Sequence, residues 1–387
     1  MWYFSSPLIV FGEDALSHLA SLHGKKAMIV TDATLIRLGV VDSVVEQLKL
    51  TGMQAEIFDQ VLPEPDLETV KFGAQRMMAF EPDWIVAVGG GSVIDAAKGM
   101  WVLYARPDVQ PDAINPLESY GLRQKAHMVA IPTTSGTGSE VTWAVVLSDH
   151  QAKRKLGLGS REVVPDIAII DPIMIKGLPP RITSDTGLDA LTHAIEGFTS
   201  TYHNEFTDGL CLLAARLVFE NLPRAYQGDL LAKEKMHYAA TIAGLGFGNS
   251  MAALAHGLGH AFGALFQIPH GRAVALFLPY TIEYCANSPE GGTRYAELGG
   301  FLGLSEKNEK QAGAALAAKI RELEEALEQP VCIAEAGIER SALESELDQL
   351  IENAMNDTQT IMSTRIPDEE DLRRLFLYAY EGKMIDF

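Results

Sequence analysis

Cysteine is scarce in this 387-residue chain: Cys211, Cys285 and Cys332 are the only three, far apart in sequence. An odd, scattered set excludes a disulfide framework, and no CxxC pair is present for zinc binding or thiol exchange. Reduced, buried thiols are the expected state, which fits a cytoplasmic location. Basic charge is also short, with 31 Lys and Arg against 51 Asp and Glu and a formal net charge of −20. A surface of that sign repels nucleic-acid phosphate and anionic lipid, so neither is an expected partner. Long apolar runs are missing too: the stretches are about 5–8 residues, against the ~18–20 that cross a bilayer. The segment from Met1 to Pro7 has neither the basic region nor the apolar core of a signal peptide.

What is present is a globular composition, 47% hydrophobic and 21% charged. At roughly 150 residues per domain, the length allows two or three domains. In the first half, short apolar runs alternate with amphipathic stretches. KAMIVT (26–31), residues 55–58, WIVAV (84–88), HMVAI (127–131) and DIAII (166–170) read as strands. Residues 35–50, 67–80 and the stretch from the glycines after WIVAV to about residue 103 read as helices. Such alternation implies a parallel sheet covered on both faces. After Pro179-Pro180 strand-like runs almost vanish, and residues 183–199, 205–222, 230–249, 251–266, 271–286, 309–328 and 368–380 carry helical spacing. The expected organisation is an α/β N-terminal domain with a parallel sheet, residues 1–180, and an all-α C-terminal domain, residues 181–387.

The GxGxxG dinucleotide fingerprint is another absence. In its place Gly89-Gly90-Gly91-Ser92 joins a strand to a helix, so backbone N–H groups and the positive end of the helix dipole face a common point. A bare tight turn would have the same sequence. A second loop, PTTSGTGSE (132–140), follows another strand and is crowded with hydroxyls able to donate to phosphate or ribose oxygens. Two such loops at strand C-terminal ends lie where open α/β sheets bind ligands. Asp32, just after the first of these strands, is placed to accept from a ribose diol and to repel a 2′-phosphate, favouring NAD over NADP. It is equally placed to cap a helix starting near Thr34.

Histidines concentrate between residues 193 and 270. Asp189 and His193 stand at i, i+4 in a mostly apolar helix, which puts both on one face, and a buried Asp with no partner is costly. His256 and His260 are likewise at i, i+4, among glycines and alanines that allow close approach, and His270 follows at a break between helices. Imidazole and carboxylate without thiolate suit divalent Fe, Zn, Mn or Ni. Spacing alone does not choose between His256 and His260 as a ligand. His18, His23, His127, His150, His203 and His237 belong to no constellation.

Taken together, GGGSVIDAAK (89–98), PTTSGTGSE (132–140), GLDALTHAIE (187–196) and AHGLGHAFGALFQIPHG (255–271) resemble the iron-containing (group III) alcohol dehydrogenase family over essentially the whole chain. The resemblance implies an N-terminal nucleotide-binding domain and a helical metal-binding domain. It implies Asp189, His193, His256 and His270 as metal ligands, with Fe(II) as the metal and Zn(II) as a further option. His260 then matches a non-ligand histidine near the nicotinamide and becomes the expected proton relay. Gly90, Gly91 and Ser92 match the pyrophosphate loop, Asp95 of the same motif joins the cofactor-binding set, and Thr133, Thr134 and Thr137 match the second cofactor loop. Asp32 matches a position that is acidic in NAD-preferring members, and Lys155 matches a cofactor-side lysine in a loosely aligned stretch. The activity implied is metal-dependent hydride transfer between a small primary alcohol, aldehyde or diol and NAD, in a homodimer or larger homo-oligomer. Glycerol dehydrogenases and dehydroquinate synthase share the architecture; the pairing of His193 with Asp189 argues against both. A non-catalytic metal- or nucleotide-binding protein is the reading from another class.

Overall fold

The computed structural model describes residues 3–149 and 154–387; His150 lies outside them. The chain divides into two compact units, Met1–Leu178 and Pro179–Phe387.

The first unit is built on a six-stranded sheet. Its strands are β1 (Leu8–Phe11), β2 (Lys26–Val30), β3 (Gln54–Phe58), β4 (Trp84–Gly89), β5 (His127–Pro132) and β8 (Ile167–Ile170). The order is β1-β8-β5-β4-β2-β3, and every pairing is parallel. The continuous apolar strands are explained by burial on both faces. Met28, Val30, Ile85, Ala87, Met128 and Ala130 pack on one side, in the core that also holds residues of α3 (Leu67–Phe80) and α4 (Gly91–Ala105). Ala27, Ile29, Val86, Val88, Val129 and Ile131 pack on the other, with α2 (Asp42–Leu50) and the turn over Ala15–Ser21. The single helix expected over residues 35–50 is two, α1 (Ala33–Arg37) and α2, because the chain turns at Gly39 with φ +70°. Two features were not expected from the pattern. One is the edge strand β1, and the other is the antiparallel pair β6 (Ala144–Asp149) and β7 (Arg154–Gly159).

In the second unit the described elements are helices and short 3-10 turns. They are α5 (Pro180–Thr199), α6 (Glu205–Tyr226), α7 (Leu230–Gly248), α8 (Leu254–Phe266), α9 (His270–Ala286), α10 (Tyr295–Phe301), α11 (Glu309–Ala326), α12 (Arg340–Asn356) and α13 (Glu369–Glu381). The α/β architecture followed by a helical unit agrees with the sequence reading; α10 and α12 add to it. Pro180 opens α5, where a missing N–H is tolerated. The helix is then buried along almost its full length, packed against α6, α7 and α9. No described helix is long and apolar enough to cross a membrane.

Candidate active site

In the second unit, α5 carries Asp189 and His193 one turn apart, α8 carries His256 and His260, and His270 begins α9. Glycines bring these helices close. A Cβ on Gly271 would stand 2.1 Å from the Asp185 carbonyl oxygen and 3.1 Å from Asp189 Cβ, so α9 reaches α5 only through a bare backbone. A Cβ on Gly259 would meet the Val274 backbone nitrogen at 2.9 Å, which fixes α8 against α9. The small residues noted in the sequence therefore serve helix packing here. Arg272 locks the same corner, its Nη2 donating to Asp185 Oδ1 at 2.9 Å and Oδ2 at 3.1 Å.

The outcome is a cluster in which Asp189, His193, His256 and His270 each present one ligand-type atom, all within 4.8 Å of one another. His270 Nε2, His193 Nδ1 and His256 Nε2 lie 3.4, 3.7 and 3.9 Å from Asp189 Oδ1. These are poor hydrogen-bond lengths. Two atoms bonded to one ion at ~2.1 Å and a tetrahedral angle stand ~3.4 Å apart. Asp189 Oδ1 and His256 Nε2 are buried, with no hydrogen-bond partner among the described residues. Buried polar atoms without partners are rare and call for one. The His270 side chain is 31% exposed while those of Asp189, His193 and His256 are nearly wholly enclosed, so the cluster opens at His270.

Electrostatics favour ligand protonation states at Asp189 and His270. Burial raises the Asp189 carboxyl, but the imidazoles of His193, His270 and His256 outweigh it and hold it below the usual carboxylate range. Burial pushes His270 down to about 4, against the pull of Asp189. His256 is raised, because the Glu196 carboxylate outweighs the lowering by burial. Phe247 stacks on His193 with ring centroids 3.9 Å apart. His260 stands outside the four, its Nδ1 held by Asp357 Oδ2 at 2.7 Å.

In the first unit the two loops meet. A Cβ on Gly91 would come within 2.6 Å of the Thr137 side chain, and one on Gly90 within 3.3 Å of Thr134. The N-cap position of α4 is Gly90, which has no side chain to cap the helix. The helix starts at this meeting of the two loops, as an anion-binding helix N-terminus does. Thr133 is buried, and its N–H donates to the Gly89 carbonyl at 3.0 Å. The Ser92 hydroxyl donates to the Pro63 carbonyl at 2.6 Å. Asp95 is buried and engaged within the protein: Oδ1 accepts from Ser139 Oγ, and Oδ2 from the Val146 N–H at 2.9 Å. Lys155 pairs with Glu64 at 3.2 Å. Asp32 caps α1, Oδ1 accepting from the Thr34 and Leu35 N–H groups at 2.7 and 3.0 Å.

Four residues near these groups carried no role in the sequence reading. Glu196 and Lys98 sat inside quoted motifs, where a charge in an apolar helix was the available signal. Asp357 and Glu64 had no local signal.

Residues 6–172 match the family model "Iron-containing alcohol dehydrogenase", and residues 183–380 match "Fe-containing alcohol dehydrogenase family, C-terminal". The chain belongs to the iron-containing alcohol dehydrogenase family. Among its relatives, the NADPH-dependent butanol dehydrogenase of Clostridium saccharobutylicum is 39% identical over 381 residues, which span 98% of each chain. The iron-containing alcohol dehydrogenase of Thermococcus thioreducens superposes with a TM-score of 0.90 at 30% identity, covering 99% of this chain and 100% of the other. A 1,3-propanediol oxidoreductase gives 0.88 at 32% identity, covering 98% and 100%. This iron-containing alcohol dehydrogenase homologue is a metal-dependent, NAD(P)-dependent oxidoreductase of alcohols and aldehydes. The family implies iron as the divalent metal, and the orphaned Asp189 Oδ1 and His256 Nε2 among three imidazoles fit such an ion.

Proposed function

We propose that the chain interconverts a small primary alcohol or diol and its aldehyde with NAD as hydride carrier. In this reading Asp189, His193, His256 and His270 hold the metal, Fe(II) ahead of Zn(II). The observation that carries it is the convergence of those four side chains, with Asp189 Oδ1 and His256 Nε2 buried and without a hydrogen-bond partner among the described residues. A divalent ion bound there supplies Lewis acidity towards the substrate oxygen. The chain's residues do the rest. The enclosed Asp189, His193 and His256 exclude water, and the opening at His270 admits the alcohol. His260, with Nδ1 fixed by Asp357, moves the proton at Nε2. Gly90, Gly91, Ser92, Thr133, Thr134 and Thr137 cradle the cofactor phosphates and ribose, while Asp95 braces the two loops from behind and Lys155 flanks them. The test is NADH formation by anaerobically purified protein supplied with Fe(II), Zn(II) or Mn(II) and a panel of short primary alcohols and diols. No NADH from any combination overturns the reading.

Replacing His260 with alanine should leave metal content unchanged and slow turnover by roughly 10²-fold. Wild-type turnover in that variant removes His260 from proton transfer. Asp32 sets cofactor choice in this reading by repelling a 2′-phosphate. Glycine there costs only a few tenths of a kcal/mol as a helix cap, so Asp32→Gly isolates the charge. The ratio of kcat/KM for NADPH over NADH should rise by about 10-fold, equivalent to ~1.4 kcal/mol; an unaltered ratio defeats the role. The free, buried cysteines support a cytoplasmic setting. The homodimer or larger homo-oligomer rests on the family resemblance, and a monomer in sedimentation equilibrium would remove it.

A further inference from the structure

We infer that Glu196 is a positioning residue for His256: it selects the tautomer and ring rotation that turn Nε2 towards the metal position, while also capping α8 from a neighbouring helix. The inference rests on the ligand set proposed above. Ala253, at the N-cap position of α8, has no side-chain acceptor, yet the first-turn N–H groups of a buried helix need one. Glu196 reaches across from α5 to supply it. Its Oε2 accepts from the Ala253 N–H at 2.9 Å and its Oε1 from the Ala255 N–H at 2.6 Å. The same Oε2 meets His256 Nδ1 at 2.5 Å. Glu196 and His256 are 4% and 3% exposed, so water does not share these bonds.

An ionised carboxylate only accepts, so the hydrogen of this contact sits on His256 Nδ1. Nε2 keeps its lone pair, and Nε2 is the atom that faces Asp189 Oδ1 without a hydrogen-bond partner among the described residues. Carboxylate contact at the far nitrogen also strengthens an imidazole as a ligand. Asp189, His193 and Glu196 fall at i, i+4 and i+7, one stripe of α5, so a single helix face presents two ligands and the brace of a third. Three donors converge on two oxygens. A glutamine has one oxygen and one NH₂ group, so either a backbone N–H faces another N–H, or the amide donates to Nδ1 and drives the imidazole to the Nε2–H tautomer, which does not ligate.

The test compares metal-free wild type, Glu196→Gln, Glu196→Asp, His256→Ala and, as a stability control, Asn308→Ala, which removes the N-cap of α11. Co(II) is titrated in competition with a chelator, the visible spectrum of the bound ion is recorded, and thermal unfolding is followed in parallel. Glu196→Gln should weaken Co(II) binding by about 10- to 100-fold and move the spectrum towards that of His256→Ala, with Glu196→Asp between it and wild type. Asn308→Ala should melt earlier yet keep wild-type affinity and spectrum. Wild-type affinity and spectrum in a folded Glu196→Gln overturn the inference whatever its melting temperature. Where that variant does not fold, the same result in Glu196→Asp overturns it. A wild type that takes up no Co(II), or a His256→Ala that binds it equally well, overturns the ligand set itself.

Discussion

Replacing His256 with alanine should strip the metal from the chain and lower turnover by roughly 10³-fold, about 4 kcal/mol of activation free energy. Three features make the effect large. His256 is nearly wholly enclosed, so solvent does not replace its Nε2 with an ordered water at low cost. The other ligand atoms stand 3.4 and 3.7 Å from Asp189 Oδ1, positions set by the packing of α5 against α9, and they do not close over the gap. Glu196 then keeps its backbone donors but loses the imidazole, leaving a buried carboxylate under-satisfied beside the site. Metal analysis and kcat/KM on one preparation check this, and full activity with metal retained contradicts it.

Lys98→Met should destabilise the first unit by about 3–5 kcal/mol, a drop in melting temperature on the order of 10 °C for a unit of this size. Lys98 has no exposed surface, and its Nζ donates to Ser139 Oγ at 3.0 Å and to the Thr142 and Ala144 carbonyls at 2.9 Å each. Asp95 lies 3.7 Å away. Burial pushes the Lys98 ammonium down to about 8 and raises the Asp95 carboxyl, so each charge is held by the other and by the surrounding bonds. Methionine fills the aliphatic volume. The loss therefore comes from two orphaned carbonyls and an unpaired carboxylate rather than from a cavity. Adding Asp95→Asn should recover part of it. Because this network ties α4 to the segment that follows the second loop, the KM for NAD should rise as well. A melting curve superimposable on wild type contradicts the account.

The parallel sheet was legible because β2, β4, β5 and β8 are buried on both faces and read as unbroken apolar runs. β1 escaped although LIVF is itself an apolar run: it is only four residues long and is an edge strand that leaves Leu8 and Phe11 more than half exposed. β6 and β7 mix Gly, Ser and Lys with apolar residues, and what anchors β6 is non-local: Asp95 and Lys98 of α4 hold the backbone at Val146 and Ala144. In the second unit, α12 hides Leu343, Leu347, Leu350 and Ile351 at helical spacing inside an acidic stretch. The candidate metal cluster was readable because Asp189 and His193 obey i, i+4, as do His256 and His260, and the family resemblance separated the last two. Asp357 was not, since 97 residues separate it from the His260 it holds. Asp95 shows the limit of a motif. Its place in GGGSVIDAAK put it among the cofactor residues, whereas in the fold both of its oxygens hold protein partners.

The most direct measurement is metal analysis of anaerobically purified protein, with alcohol-dependent NADH formation assayed on the same sample before chelation, after it and after metal is restored. One divalent ion per chain, with activity that falls and returns in step with it, is the result expected of the ligand set proposed above. Undiminished NADH formation by protein shown to be free of metal would contradict the account.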